Sequence, residues 1–196
     1  MTIREVLAII GKRFNDEQIL WGVGGSVMLN YYGLAENPRD IDLVVALADV
    51  EKADAILSKL GRKQNRMPDS LYETEHFLEY VIQGVDVDVM AGLNITHEAG
   101  TYNFTFNTQS VTKRMTINKV EIPLTSLADW YVIYQLLGDR EVKVDRIEKH
   151  LLSSRLVETD RLERTLTGNL PDNVRKRVEA LLTGLSAGNT NNQFPS

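Results

Sequence analysis

Apolar residues fall at helical spacing from the start of the chain. Ile3, Val6, Leu7, Ile10 and Phe14 mark one face, and Thr2-Ile-Arg-Glu5 just before them is a capping-box pattern that satisfies exposed N–H groups. Ile19 to Val23 is a short continuous apolar run and predicts a buried strand. Gly24-Gly25-Ser26 then turns the chain into the two-turn helix VMLNYY, which ends at Gly33. A Pro38-containing loop leads to a second strand over Ile41 to Leu47. Asp49 is placed to cap the helix VEKADAILSKL, and Arg62 to Ser70 reads as a polar, basic loop.

The period then becomes two. Phe77 to Ile82 and Val85 to Met90 are strand-like and separated only by Gln83-Gly84, which predicts a hairpin. Tyr102 to Phe106, Arg114 to Ile117 and Val120 to Ile122 continue the β-rich middle, with Asn118-Lys119 as a second turn. After Pro123 the spacing is helical again. Leu127, Trp130, Tyr134 and Leu137 form one face, capped by Thr125 or Ser126, and Val144, Ile147 and Leu151 form the next. Leu162, Leu166, Val174, Val178 and Leu181 extend the pattern past Pro171. The expected organisation is an α/β core with a mixed sheet flanked by helices over 1–124, a helical segment over 125–184, and a small, polar, disordered tail over 185–196.

Composition narrows the partners. At 196 residues, 43% hydrophobic and 25% charged, the chain is an ordinary globular one with enough length for a sizeable core. It has no cysteine, which excludes thiol catalysis and disulfides and fits a reducing cytoplasm. No apolar run is long enough for a membrane span and no signal-peptide pattern is visible. The net charge of −5 argues against broad phosphate-backbone binding, so a small molecule or a protein is favoured over long nucleic acid as partner. The runs GRKQNR and TKRM are local basic exceptions, and a homo-oligomer is compatible with the sequence.

The chemistry concentrates between Ile19 and Leu47. Asp40 and Asp42 stand two apart on a strand, so they project from one side with α-carbons roughly 6.5–7 Å apart. Their hard oxygens suit Mg²⁺ or Mn²⁺. Backbone N–H groups of Gly24 and Gly25 and the Ser26 hydroxyl suit an anion, so the stretch reads as a nucleotide–metal site. A second pair at the same spacing, Asp86 and Asp88 in GVDVDVMAG, offers a third carboxylate. His76, His97 and His150 are spaced too widely to propose a metal site, and Trp130, Tyr131 and Tyr134 read as packing.

GGSVMLNYYG, then RDIDLVV, then VDVDVMAG resembles the DNA polymerase β-like nucleotidyltransferase superfamily, in the small bacterial branch with antibiotic and abortive-infection nucleotidyltransferases. The segment SLADWYVIYQLLGDREVKVDRIEKHLL is similar to the helical part of that branch, where Lys143 or Arg140 would supply the basic residue that meets the triphosphate. The resemblance implies transfer of a nucleoside monophosphate from a nucleoside triphosphate to an acceptor hydroxyl, with two Mg²⁺ or Mn²⁺ ions held by Asp40, Asp42 and Asp88. Asp88 is preferred to Asp86 because VDVM matches the run that carries the third carboxylate. Asp86 would then stand behind it or serve the acceptor. The rival reading is a non-catalytic module on the same fold, binding a nucleotide or a partner protein.

Overall fold

The computed structural model describes residues 1–64, 74–154 and 158–190, which divide into two compact units. Met1–Asn94 and Phe104–Ser126 form the first; Ile95–Asn103 and Leu127–Ser196 form the second. The basic loop expected over 62–70 and the end of the tail, 191–196, fall largely or wholly outside the described residues. Where that loop is described, Arg62–Lys63 is a short strand instead.

The first unit is built on a mixed sheet. In chain order its strands are β1 (Trp21–Val23), β2 (Asp40–Val45), β3 (Arg62–Lys63), β4 (His76–Ile82), β5 (Val85–Ala91), β8 (Val111–Ile117) and β9 (Val120–Thr125), in the spatial order β3-β4-β5-β2-β1-β9-β8. Between β5 and β8 the chain forms a separate two-stranded hairpin, β6 (Leu93–His97) and β7 (Gly100–Phe104), whose tip belongs with the second unit. β2 runs parallel to β5 and antiparallel to β1, so the sheet centre is mixed. Both predicted two-residue turns are present: Gln83 and Gly84 have φ of 52° and 81°, and Asn118 and Lys119 have φ of 50° and 66°. Positive φ at both central residues matches the right-handed twist of the flanking strands.

Helix α1 (Ile3–Asp16) carries the predicted capping box and buries Val6, Leu7, Ile10 and Phe14 completely. Fourteen residues make a marginal helix in water, so this apolar face holds α1 in place more than propensity does. Phe14 meets Trp21 edge to face at 5.4 Å, and a Cβ on Gly11 would stand 2.5 Å from Ile122 Cδ1. Trp21 pairs with Val45, whose side chain points away from the face of Asp40 and Asp42. Helix α3 (Val50–Leu60) lies on that same side, where the Tyr80 hydroxyl donates to the Asp54 carboxylate. Burial and this bond push the Tyr80 phenol up to about 12. The two helices therefore cover one face of the sheet, and the carboxylates are on the other.

Asp49 does not cap α3. Its carboxylate accepts the Leu20 N–H at 2.9 Å and ties β1 to the end of β2. β9 also runs through Pro123 to Thr125, past the predicted change of period, and the Thr125 hydroxyl donates to Val23 O at 2.9 Å.

The second unit is helical apart from its share of the hairpin: α4 (Leu127–Leu137), α5 (Glu141–Ser153), α6 (Thr159–Leu166) and α7 (Asp172–Thr190). α4 is buried on every side from Leu127 to Tyr134, not on one face, and Glu158 accepts the Ala128 N–H at its N-terminus. Asp129 on α4 pairs with Arg161 on α6; burial pushes its carboxyl up to about 6, against the pull of Arg161. Arg177 on α7 binds Glu141, Asp145 and Glu148 of α5. α7 continues to Thr190, so the stretch expected as tail begins as helix.

Candidate active site

The parallel register of β2 and β5 decides how the four aspartates meet. Asp40 is the partner of Asp86 and Asp42 the partner of Asp88. Partners in adjacent strands point to the same face, about 5 Å apart, so the two pairs form a grid on the face of the sheet centre opposite α1 and α3. Asp40, Asp42 and Asp88 are half-buried, while Asp86 is exposed. Two carboxylates at that spacing repel by roughly 3 kcal/mol at an effective dielectric of about 20, so the grid favours a cation.

The turn between β1 and helix α2 (Gly25–Tyr31) leans on this grid at three points. Gly24 N–H donates to Asp42 O at 2.9 Å. Gly25 has φ +55°, and a Cβ there would stand 1.7 Å from Asp42 Oδ2, so the Asp42 carboxylate occupies the space that any other residue would fill. Ser26 Oγ donates to Asp40 Oδ1 at 3.0 Å. The sequence suggested a phosphate for this turn and a metal for the aspartates, as separate jobs; in the folded chain the turn grips the aspartates directly.

No protein-family model and no curated protein sequence matches the chain. Solved structures do. A candidate nucleotidyltransferase from Thermotoga maritima is 26% identical, with a TM-score of 0.59 over 76% of this chain and 92% of that one. The antibiotic-resistance factor ANT(2″)-Ia, solved with adenylyl-2″-tobramycin, is 12% identical, with a TM-score of 0.56 over 96% of this chain and 99% of its own. The lincosamide antibiotic adenylyltransferase LnuA, solved with lincomycin, is 14% identical, with a TM-score of 0.50 over 76% and 97%. The chain has the nucleotidyltransferase fold. These likenesses and the ordered sequence motifs together relate it to the nucleotidyltransferase superfamily.

On this nucleotidyltransferase frame, one further residue stands beside the aspartates. Glu79 on β4 is the antiparallel partner of Asp88, so a row Glu79–Asp88–Asp42 runs across three strands, with Gly24 opposite Asp42 at its end. The row beside it runs Arg62–Val81–Asp86–Asp40. Sequence reasoning missed Glu79, although the two-residue hairpin turn fixes Ile82 opposite Val85 and hence Glu79 opposite Asp88.

The donor set fits a hard divalent cation in chemistry and register: carboxylate oxygens, one face, adjacent strands. Among the described residues no group of three or more His, Asp or Glu side chains is gathered closely enough to hold an ion as it stands. Asp40 accepts the Ser26 hydroxyl, and the Asp42 carboxylate is seated against Gly25. Lys143, the expected triphosphate contact, lies in the second unit on α5, its ammonium 4.7 Å from the centre of the Tyr134 ring. Arg140 directly precedes α5 and donates to Asp139 O. Of the histidines, His97 is taken up within the second unit by Asn169 O and the Ala99 N–H. No described helix is long and apolar enough to cross a membrane.

Proposed function

We propose that the protein is a metal-dependent nucleotidyltransferase. The acceptor hydroxyl oxygen attacks the α-phosphorus of a nucleoside triphosphate, the bond to the β-phosphate bridging oxygen breaks, and pyrophosphate leaves as the hydroxyl proton is lost. The observation that carries this reading is the parallel register of Asp40 with Asp86 and Asp42 with Asp88, clasped by the Gly24–Ser26 turn.

Asp40, Asp42 and Asp88 are the residues that would hold Mg²⁺ or Mn²⁺, with two ions expected. Such an ion supplies charge for the leaving pyrophosphate and acidity for the attacking hydroxyl. Gly24, Gly25 and Ser26 would take the phosphates, with Lys143 or Arg140 as the basic partner. Asp86, exposed at the rim of the grid, is suited to the acceptor side. LnuA and ANT(2″)-Ia were solved with lincomycin and with adenylyl-2″-tobramycin, which supports a small-molecule acceptor here, as does the acidic balance of the chain.

The test is thermal stabilisation by each of ATP, GTP, CTP and UTP with and without Mg²⁺. At least one should raise the melting temperature in a Mg²⁺-dependent way, and Asp42→Asn should abolish the Mg²⁺-dependent part. A melt that no triphosphate shifts, with Mg²⁺ or with Mn²⁺, would refute the nucleotide reading.

A further inference from the structure

The basic run GRKQNR begins on β3, the strand at the edge of the sheet beyond the aspartate grid. Arg62 is the register partner of Val81, Val81 of Asp86, and Asp86 of Asp40. Cross-strand partners share a face, so Arg62 stands on the face of the carboxylates, two strand spacings or about 10 Å from Asp86. Lys63 faces the other way. Its ammonium pairs with Asp54 of α3 at 2.7 Å and lies 5.9 Å from the centre of the Tyr80 ring.

Arg62 is held in this place from both ends. Gly61 N–H donates to Leu57 O at 3.0 Å and closes α3. A Cβ on Gly61 would stand 2.4 Å from Val81 O and 2.6 Å from Ile82 Cγ1, so the chain enters β3 in direct contact with β4. On the far side Gln64 N–H donates to Glu79 O at 2.8 Å. Turning Arg62 off the carboxylate face would also break the Lys63–Asp54 pair. Arg62 is exposed, and it makes no ion pair among the described residues, so it is not used to neutralise the aspartates. Its planar fork of donors suits a phosphate or a carboxylate.

The two sides of the grid differ. The Gly24–Ser26 turn bonds to Asp40 and Asp42 from the β1 side, and β5, β4 and β3 follow on the other. In an in-line displacement the attacking and leaving oxygens lie opposite each other across phosphorus. With the phosphates at the turn, pyrophosphate leaves on the β1 side and the acceptor hydroxyl comes from the side of Asp86 and Arg62. We infer that the acceptor is an anionic small molecule, whose phosphate or carboxylate group is held by Arg62 while its hydroxyl is presented beside Asp86. The anion then lies within about 10 Å of the reacting oxygen. That oxygen bonds to the α-phosphorus and gives up its proton as pyrophosphate departs. Arg62 touches the acceptor and not the triphosphate, so it sets specificity. An anion beside Asp86 and Glu79 is repelled unless this guanidinium meets it, which makes Arg62 decisive for such an acceptor. The inference rests on the nucleotidyltransferase reading and names the chemical class of its acceptor.

The experiment uses the full chain with Mg²⁺ and each α-labelled triphosphate. A cell extract is split by ultrafiltration into macromolecules and small molecules, and the small molecules are passed over an anion exchanger. Wild type should label an acceptor in the retained, anionic fraction. A charge-assisted bidentate contact corresponds to about tenfold or more in affinity. Arg62→Ala should therefore raise the KM for that fraction about tenfold or more, while kcat and the KM for the triphosphate stay within about twofold of wild type. Arg62→Lys, which keeps the charge and loses the fork, should fall between the two. Lys63→Ala, on the opposite face, should leave the acceptor KM unchanged, and circular dichroism and a melt show that each variant is folded. An acceptor found only in the unretained fraction, or only among the macromolecules, would overturn the inference and leave nucleotidyl transfer standing. So would an acceptor KM that Arg62→Ala does not change, an equal rise in Lys63→Ala, or a raised KM for the triphosphate in Arg62→Ala. No label transfer to any fraction would remove the functional reading and this inference together.

Discussion

Gly25 is the position where a single small substitution should disturb the site most. Gly25→Ala asks two things of the turn. The first is a left-handed backbone, φ +55°, which costs an ordinary residue about 1–2 kcal/mol. The second is space: the new Cβ would lie 1.7 Å from Asp42 Oδ2, 2.5 Å from its Cγ and 2.9 Å from its Cβ. Asp42 is anchored in the middle of β2, so its carboxylate must retreat by more than about 1 Å, a displacement that can cost about 100-fold in a reacting constellation. Gly33→Ala is the matched control, because Gly33 has φ +72° and nothing within 4 Å of where a Cβ would stand. Urea denaturation should show a similar loss of about 1–2 kcal/mol for Gly33→Ala from backbone strain alone, and at least that for Gly25→Ala. Mg²⁺-dependent triphosphate binding should survive in Gly33→Ala and be weakened in Gly25→Ala, and any turnover should fall about 100-fold in Gly25→Ala. Binding by Gly25→Ala about equal to that of the Gly33→Ala control would refute the idea that this glycine exists to seat Asp42.

Asp88→Asn should remove the Mg²⁺-dependent part of triphosphate stabilisation and Asp86→Asn should keep most of it; the reverse pattern would assign the third carboxylate to Asp86. Glu79→Gln removes one carboxylate from the row with Asp88 and Asp42, so the increment in melting temperature on adding Mg²⁺ with triphosphate should shrink. Asp129 titrates near 6 in the folded chain against 3.8 for a free carboxyl, so its contribution to stability is full below about pH 4 and is lost as the pH rises through about 6. The size is about 3 kcal/mol. Chemical denaturation of wild type against Asp129→Asn should show wild type gaining relative stability as the pH is lowered from above 6 toward 4, and parallel profiles would contradict this.

Much of the first unit was legible because its strands obey local rules. The capping box at Thr2, the paired turns at Gln83-Gly84 and Asn118-Lys119, and the parity of Asp40 with Asp42 and of Asp86 with Asp88 are all set by neighbours in sequence. What joins the two aspartate pairs is not local. β2 and β5 lie far apart in the chain, and their register is set by how the intervening helix and hairpin pack, so neighbouring in the grid could be hoped for but not read. Asp49 departs from expectation for the same reason: a residue well placed to cap α3 found a better partner in the Leu20 N–H of another segment. α4 misled because Trp130, Tyr131 and Tyr134 are apolar around the whole helix, and only tertiary packing tells a buried hub from an amphipathic one. Glu79 was legible and overlooked, since two-residue hairpins fix their own register.

Transfer of a nucleotide at the Asp40–Asp42–Asp88 site is tested most directly by incubating the protein and Mg²⁺ with a cell extract and each triphosphate, labelled at either the α- or the γ-phosphate. Label from the α-position, and none from the γ-position, should become attached to an acceptor with wild type and be absent with Asp88→Ala. Transfer of γ-label, or equal α-labelling by wild type and Asp88→Ala, would contradict nucleotidyl transfer at this site.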